Sequence, residues 1–301
     1  MTKIAFIGFG EAAQAMADGL SREPAITSLS AFDIRFADPA QASSLLDAAA
    51  ARKVTGHATM REAVADADII FSLVVGSAAV KVGEEAGQCL YPNQVFIDLN
   101  SIGPDAKKRV GDALAKGGKA AFVEGAVMAR VPPQKHKTPI LLAGPAAADA
   151  AAILNGAGMD IEAVGEKIGQ ACAVKMIRSI VVKGIEALLI ESLTAAEIAG
   201  VRERIVDSIS QTFPGFDWRQ AATYYIGRTQ QHGARRVTEM KEAAATLESL
   251  GLQPTLSTAI AATIGAAHAK FKQSGLVFDK DYPEMLAALA AGDVKTGDQA
   301  A

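Results

Sequence analysis

Gly8, Phe9, Gly10, Glu11, Ala12 and Ala13 follow the spacing G-x-G-x-x-A, a pattern that turns a chain tightly and presents backbone N–H groups to phosphate. Gly8 permits the turn, Gly10 lets the backbone approach a pyrophosphate, and Ala13 allows close packing of helix on strand. The helix that opens there adds free N–H groups and a partial positive charge. Asp33 falls 20 residues after Ala13, where a carboxylate accepts hydrogen bonds from an adenosine ribose. That carboxylate favours NAD, since it repels a 2′-phosphate. Arg35 can pair with such a phosphate and keeps NADP open; strand alternation would point it the same way as Asp33. NAD is the expected cofactor, with NADP the alternative.

Further along, Arg130 and the run Lys135-His136-Lys137 make a basic stretch. It is either a solvated loop or a grip on an anionic substrate (a carboxylate, sulfonate or phosphate). Val74, Val75 and Gly76 follow one apolar run and Asn100-Ser101 another. Ligands of open α/β sheets bind at such strand ends, although Ser101 could equally cap the next helix and the valines could be core. His232 and Arg236 stand four residues apart and share a face of a helix, with Arg235 beside them; they either enter a cleft or form an exposed charged face. Cys89 and Cys172 are too few for a disulfide framework or a zinc site, and both read as small buried hydrophobes, so no metal centre is expected.

The elements that must position these residues alternate. Runs at 3–7, 29–36, 68–75 and 95–99 read as strands, with shorter extended runs at 120–123 and 138–143. Helical spacing fills 11–20, 40–52, 77–90 and 104–116, and Asp38-Pro39 reads as cap and first helical residue. Strands apolar along their length, separated by helices, predict a Rossmann-type doubly wound parallel sheet. From about 168 to 199 a long helix is expected, then only helical patterns, with breaks at Pro214-Gly215, Gly251 and Pro254. The expected organisation is α/β over residues 1–165 and all-α over 166–301, with a frayed tail at 292–301.

Composition limits the partners. The chain has 301 residues, 50% hydrophobic and 21% charged, which suits a globular protein with a core and excludes wholesale disorder. Thirty basic against 33 acidic side chains leave a net charge of -3, with no electrostatic footprint for nucleic acid or an anionic membrane. The N-terminal apolar run is too short for a secretion signal, and no run reaches the roughly 18 apolar residues of a membrane span. A cytoplasmic protein is expected.

The chain resembles the β-hydroxyacid dehydrogenases, the group of 3-hydroxyisobutyrate and 6-phosphogluconate dehydrogenases. The resemblance rests on the opening residues 4–10, the segments 96–104, 123–127 and 140–144, and Gly169-Gln-Ala-Cys-Ala-Val-Lys175-Met. The stretch 232–240 is similar to a branch whose C-terminal helical domain is phosphogluconate-dehydrogenase-like and largely uncharacterised. The resemblance implies that Lys175 is the general acid/base, that Ser101 and Asn100 lie beside the nicotinamide, that Val74 and Val75 pass over the cofactor, and that the helical domain forms a homodimer. A lysine serves as a base only when burial or a nearby cation lowers its pKa towards roughly 7–8, and the apolar helix and Arg178 push Lys175 that way.

Three departures matter. Met128-Ala129-Arg130 stands where the family carries a Ser-Gly-Gly substrate loop, so Arg130 is the expected replacement for the missing serine. Ser179 stands where asparagine is frequent, with shorter reach. Val182 stands where the decarboxylating enzymes carry glutamate, and Glu186 lies about 16 Å from Lys175 along the helix, which argues against decarboxylation. The expected function is hydride transfer between NAD(P) and the alcohol carbon of a small anionic hydroxy acid. The alternatives are a carbonyl or imine reductase and a non-catalytic dinucleotide-binding protein. Imine reductases share the architecture but generally lack the lysine.

Overall fold

The computed structural model describes residues 1–38, 40, 42–118, 120–276 and 280–291. Two compact units divide the chain, Met1–Lys175 and Met176–Ala301. In the first, strands β1 (Thr2–Ile7), β2 (Ile26–Phe32), β3 (Val54–His57), β4 (Ile69–Ser72), β5 (Val95–Asp98), β6 (Ala121–Val127), β7 (Ile140–Ala143) and β8 (Ile161–Gly165) alternate with helices. The helices are α1 (Glu11–Leu20), α2 (Ala42–Ala50), α3 (Met60–Val64), α4 (Ala79–Gly87), α5 (Pro104–Gly117), α6 (Val131–Gln134) and α7 (Ala147–Gly156). The sheet order is β3-β2-β1-β4-β5-β6-β7-β8, so the winding reverses between β1 and β4, the place where open α/β sheets bind ligands.

Both faces of the sheet are covered. Ile4 and Phe6 of β1 join a core with Met16, Leu20 and Leu154, while their neighbours Ala5 and Ile7 join one with Phe96, Val110 and Leu114. Burial on both faces is why the inner strands read as unbroken apolar runs. The expected parallel sheet holds from β1 to β6 and needs one correction: β7 pairs antiparallel with β6, and β8 parallel with β7. The link between β6 and β7 contains only α6 and a 3-10 turn (Lys135–Lys137), a length that an antiparallel pair allows.

Other boundaries moved for local reasons. The second strand ends at Phe32, because the Asp33 side chain caps a 3-10 turn (Ile34–Ala37) by accepting the Arg35 N–H. Ile34 is therefore exposed, and the alternation expected to orient Arg35 does not apply. Helix α2 is shorter than the expected 40–52. Pro39, its expected first residue, and the tail 292–301 lie outside the described residues. Neither β3 nor β8 was expected. Both are edge strands, which bury too little to show an apolar run.

Helix α8 (Gln170–Ile198) begins within the first unit. The second unit continues with α9 (Arg202–Thr212), α10 (Trp218–Ser249), α11 (Thr255–Ser274) and α12 (Tyr282–Ala290), and the expected Pro and Gly breaks fall between them. Its own core gathers Leu193, Ile226, Met240, Ile264, Phe271 and Leu286. Helix α10 is kinked at His232, which has non-helical φ/ψ (−132°, 19°). The four-residue face expected to join His232 to Arg236 is broken by that kink. Among the described residues no helix is long and apolar enough to cross a membrane, and no group of three or more His, Cys, Asp or Glu side chains could hold a metal.

Candidate active site

The glycine turn is built for close approach. Gly8 has φ of +89°, and a Cβ there would stand 2.5 Å from the Leu73 carbonyl oxygen, so only glycine fits. Gly10 is extended and precedes α1 without any side-chain cap; a Cβ on it would meet nothing within 4 Å. Open space thus adjoins an uncapped helix N-terminus, with Glu11 exposed, Ala12 half-buried and Ala13 buried against the core. These residues fit a dinucleotide pyrophosphate, which the N–H groups at the start of α1 would hold.

Asp33 lies just past β2 and is tied into this turn. Its Oδ2 accepts the Phe9 N–H at 2.8 Å, and the Arg35 guanidinium grips both oxygens through Nε and Nη2, each at 2.8 Å. Burial pushes the Asp33 carboxyl up, but the Arg35 side chain and the N–H groups of Arg35 and Phe9 outweigh it and hold it below the ordinary carboxylate value. Arg35 keeps 39% of its side chain exposed, so the accessible member of the pair is the cation.

The next two strand ends are clamped together. Asn100, buried, accepts the Val74 N–H at 2.7 Å through Oδ1, while its Nδ2 donates to Ser72 Oγ at 3.0 Å and to Asp98 Oδ1 at 2.5 Å. The Asn100 side chain therefore holds the Val74 loop rather than projecting outward. Val75 and Ser101 are exposed. Helix α5 is capped by Gly103 with Pro104 as its first residue, so Ser101 is not its cap.

In the substrate-loop position, Met128 packs against the small cluster of Ala126, Ala143 and Ala171, whereas Ala129 and Arg130 are exposed. The basic run after it is not simply a solvated loop. His136 is buried, with Nε2 3.0 Å from Glu23 Oε1 and its ring filling the space a side chain at Gly19 would need. Lys135 Nζ lies 3.8 Å from Asp18. Two of the three basic residues thus dock the segment onto α1, leaving Lys137 and Arg130 exposed.

Lys175 is half-buried on α8, at the end of the first unit. Helix α8 starts against β6. The buried Glu124 carboxylate accepts the N–H groups of Gly169 at 3.0 Å and Ala171 at 2.7 Å. Behind it Lys107, fully buried, donates to the carbonyl oxygens of Asp98 at 2.6 Å and Gly125 at 3.1 Å and pairs with the Asp98 carboxylate at 3.2 Å. Sequence reasoning missed both. The signals were a glutamate interrupting Ala-Phe-Val-Glu-Gly-Ala-Val and a lysine on the apolar 107/110/114 face of α5. Cys172 is buried, as expected, and that burial, with Glu124 adding to it, pushes its thiol up and disfavours the thiolate.

Arg178 is exposed and Ser179 half-buried in the second unit, where His232 sits at its kink. Arg236 corrects the expectation of either a cleft residue or an exposed face. It is buried, pairing with both oxygens of the buried Glu186, which also accepts the Thr229 hydroxyl. Burial pushes the Glu186 carboxyl up, and Arg236 and Thr229 oppose this only in part. Both Glu186 oxygens are thus engaged by side chains of its own unit.

Two family models match the chain: "NADP oxidoreductase coenzyme F420-dependent" over residues 3–101 and "Domain of unknown function (DUF1932)" over residues 196–266. A conserved hypothetical protein from Sinorhizobium meliloti 1021 is 53% identical with a TM-score of 0.84, over 97% of this chain and 96% of its own. A conserved protein of unknown function, described as structurally similar to 3-hydroxyacid dehydrogenases, is 27% identical with a TM-score of 0.74, over 91% of this chain and 100% of its own. A 3-hydroxyisobutyrate dehydrogenase from Mycobacterium tuberculosis shares the fold at 20% identity and a TM-score of 0.73, over 96% and 99%. The sheet with its glycine turn and the helical second unit have the fold of 3-hydroxyisobutyrate dehydrogenases, and the NADP oxidoreductase match covers the part of the sheet that carries that turn. The chain belongs to one family with the Sinorhizobium meliloti protein, and it joins a region matching the NADP oxidoreductase model to one matching DUF1932.

Proposed function

We propose that the protein is an NAD(P)-dependent dehydrogenase that interconverts a small anionic hydroxy acid and its carbonyl form, with Lys175 as general acid/base. The observation that carries this reading is the pairing, within one unit, of a fitted dinucleotide turn with a half-buried lysine on a helix anchored to the same sheet. When bound, the nicotinamide supplies the hydride acceptor or donor. Lys175 in its neutral form takes the hydroxyl proton during oxidation and, protonated, returns it during reduction. Met128 faces an apolar cluster and offers no polar grip, so recognition of the acid group falls to the exposed Arg130, with Ser101 and Ala129 as further candidates in the same unit. The test follows nicotinamide absorbance across a panel of hydroxy acids and their carbonyl partners, with NAD and with NADP. Turnover on a panel member supports the reading, whereas cofactor binding without any turnover overturns it.

Cofactor choice turns on Arg35. Its guanidinium neutralises Asp33 and occupies both oxygens a ribose would need, while presenting the cation that a 2′-phosphate pairs with. The reading therefore moves from NAD towards NADP. Arg35→Ala is expected to weaken NADP binding roughly 10- to 100-fold, the worth of a lost charge-assisted pair, and to tighten NAD as Asp33 is released. Titration of both cofactors by fluorescence checks this; an unchanged NADP to NAD ratio would refute it.

The proposed assembly is a homodimer through the helical unit. Ile177, Val181 and Leu188 leave large apolar side chains exposed on one side of α8. Sedimentation equilibrium should give twice the chain mass, and Val181→Asp with Leu188→Asp should shift it towards the monomer.

A further inference from the structure

We propose that Glu124 is a positioning residue: its buried carboxylate seats the first turn of α8 and so sets the placement of Lys175. This rests on the assignment of Lys175 as the proton-transfer group. Glu124 sits in mid-strand between β5 and β7, with no exposed surface, where an apolar residue would fill the space without the cost of burying a charge. The carboxylate is held there by converging donors. Oε1 accepts the N–H of Gly169 at 3.0 Å and of Ala171 at 2.7 Å, and the Cys172 N–H lies 3.4 Å from Oε1 and 3.3 Å from Oε2. These N–H groups belong to the start of a helix, which leaves its first donors unsatisfied and carries partial positive charge.

A cap meant only to stabilise a helix comes from the residue next to it in sequence. Here the acceptor comes from a strand 47 residues before Ala171, so the first turn, Gly169 to Lys175 within the first unit, is referred to the sheet itself. The strand is pinned in turn: Lys107 donates to carbonyl oxygens on both β5 and β6, and Asp98 pairs in register with Glu124. Lys107, Asp98 and Cys172 are the titratable groups around it. Gly169, at φ +106°, packs against Pro104 of α5 and leaves its N–H aimed at Glu124. Lys175 follows Ala171 by four residues, so it lies on the same helical face and about 6 Å further along the axis. A misplacement of about 1 Å in a catalytic group can cost on the order of 10²-fold in rate, so a slack first turn would be felt at Lys175.

The experiment compares wild type, Glu124→Gln, Glu124→Asp and Lys175→Ala as full-length protein. It reads kcat and KM on the hydroxy acid that wild type turns over, and amide hydrogen exchange, which needs no substrate. Glu124→Gln should lower kcat roughly 10- to 100-fold with KM altered by less than about threefold, the pattern of a lost transition-state arrangement. Exchange should quicken over 169–176 and stay unchanged over 104–117, and Glu124→Asp should recover part of kcat. An inactive Lys175→Ala beside a Glu124→Gln enzyme of normal kcat and normal exchange would overturn the positioning role while leaving the Lys175 assignment intact. An active Lys175→Ala would overturn both. Losses spread evenly over kcat, KM and exchange throughout the unit, with Glu124→Asp no better than Glu124→Gln, would reduce Glu124 to a structural residue and overturn the proposal.

Discussion

Lys175→Ala is expected to lower kcat by about 10²- to 10⁴-fold, the usual contribution of a positioned general acid/base, while the affinity for nicotinamide cofactor stays within about threefold of wild type. The split follows from where the parts lie. The turn from Gly8 to Ala13, with Asp33 and Arg35, is assembled from β1, α1 and β2 without help from α8. Lys175→Arg should fail to rescue turnover. Arginine keeps the positive charge, but its guanidinium does not release a proton at accessible pH, so it can replace a cation but not a base. Turnover surviving in Lys175→Ala would remove the residue from the mechanism. Glu186 could not take over in that event, because its oxygens are held by Arg236 and Thr229.

The largest stability effect is expected from Arg236→Ala. It leaves the fully buried Glu186 carboxylate without its partner, a change that costs about 3–5 kcal/mol when an internal ion pair loses one member. Acidification should narrow the deficit. Burial already raises the Glu186 carboxyl above its ordinary value, and losing Arg236 raises it further. Between the unfolded pKa of about 4.3 and the raised folded one, the folded variant binds more protons than the unfolded chain, so its stability increases as pH falls through that window. The gap to wild type should therefore be widest at neutral pH and smaller near pH 5, as read by urea denaturation at both. Replacing the pair together, Glu186→Leu with Arg236→Met, should recover most of the loss, since apolar side chains of similar volume often substitute for a buried pair without penalty. A single variant as stable as wild type at neutral pH would show that the pair contributes nothing.

Much of the N-terminal unit was legible because its signals are local. Helix α1 was expected over 11–20 and spans Glu11–Leu20, since its start is set by Gly10 and its face by Ala13, Met16 and Leu20. The central strands were legible because double-sided burial leaves no polar residue in Ile69–Ser72 before its final serine. The long helix, expected near 168–199, spans Gln170–Ile198 because no breaker interrupts it other than Gly184. Where the reading failed, a side chain had overridden a local preference. Asp33 ends β2 by capping the Ile34–Ala37 turn, although Leu29-Ser-Ala-Phe-Asp-Ile-Arg-Phe36 alternates like a strand. Helix α10 passes the test of helical spacing at His232 and Arg236, yet a single non-helical residue separates their faces.

By itself the sequence determined the kind of element at most positions and the glycine turn, because these rest on contacts between residues close in the chain or on motifs of fixed spacing. Only the tertiary structure decided what the charged and polar side chains do. Asp33 meets Arg35 and Phe9, Asn100 spans to Val74, Lys107 enters between β5 and β6, and Glu124 reaches the start of α8. A buried charge needs partners to offset its lost hydration, and those partners come from whichever strands and helices the fold brings alongside, often dozens of residues away. Residue type and spacing carry no record of that distance, so a glutamate in β6 reads as an irregularity until the sheet and the helix are placed together.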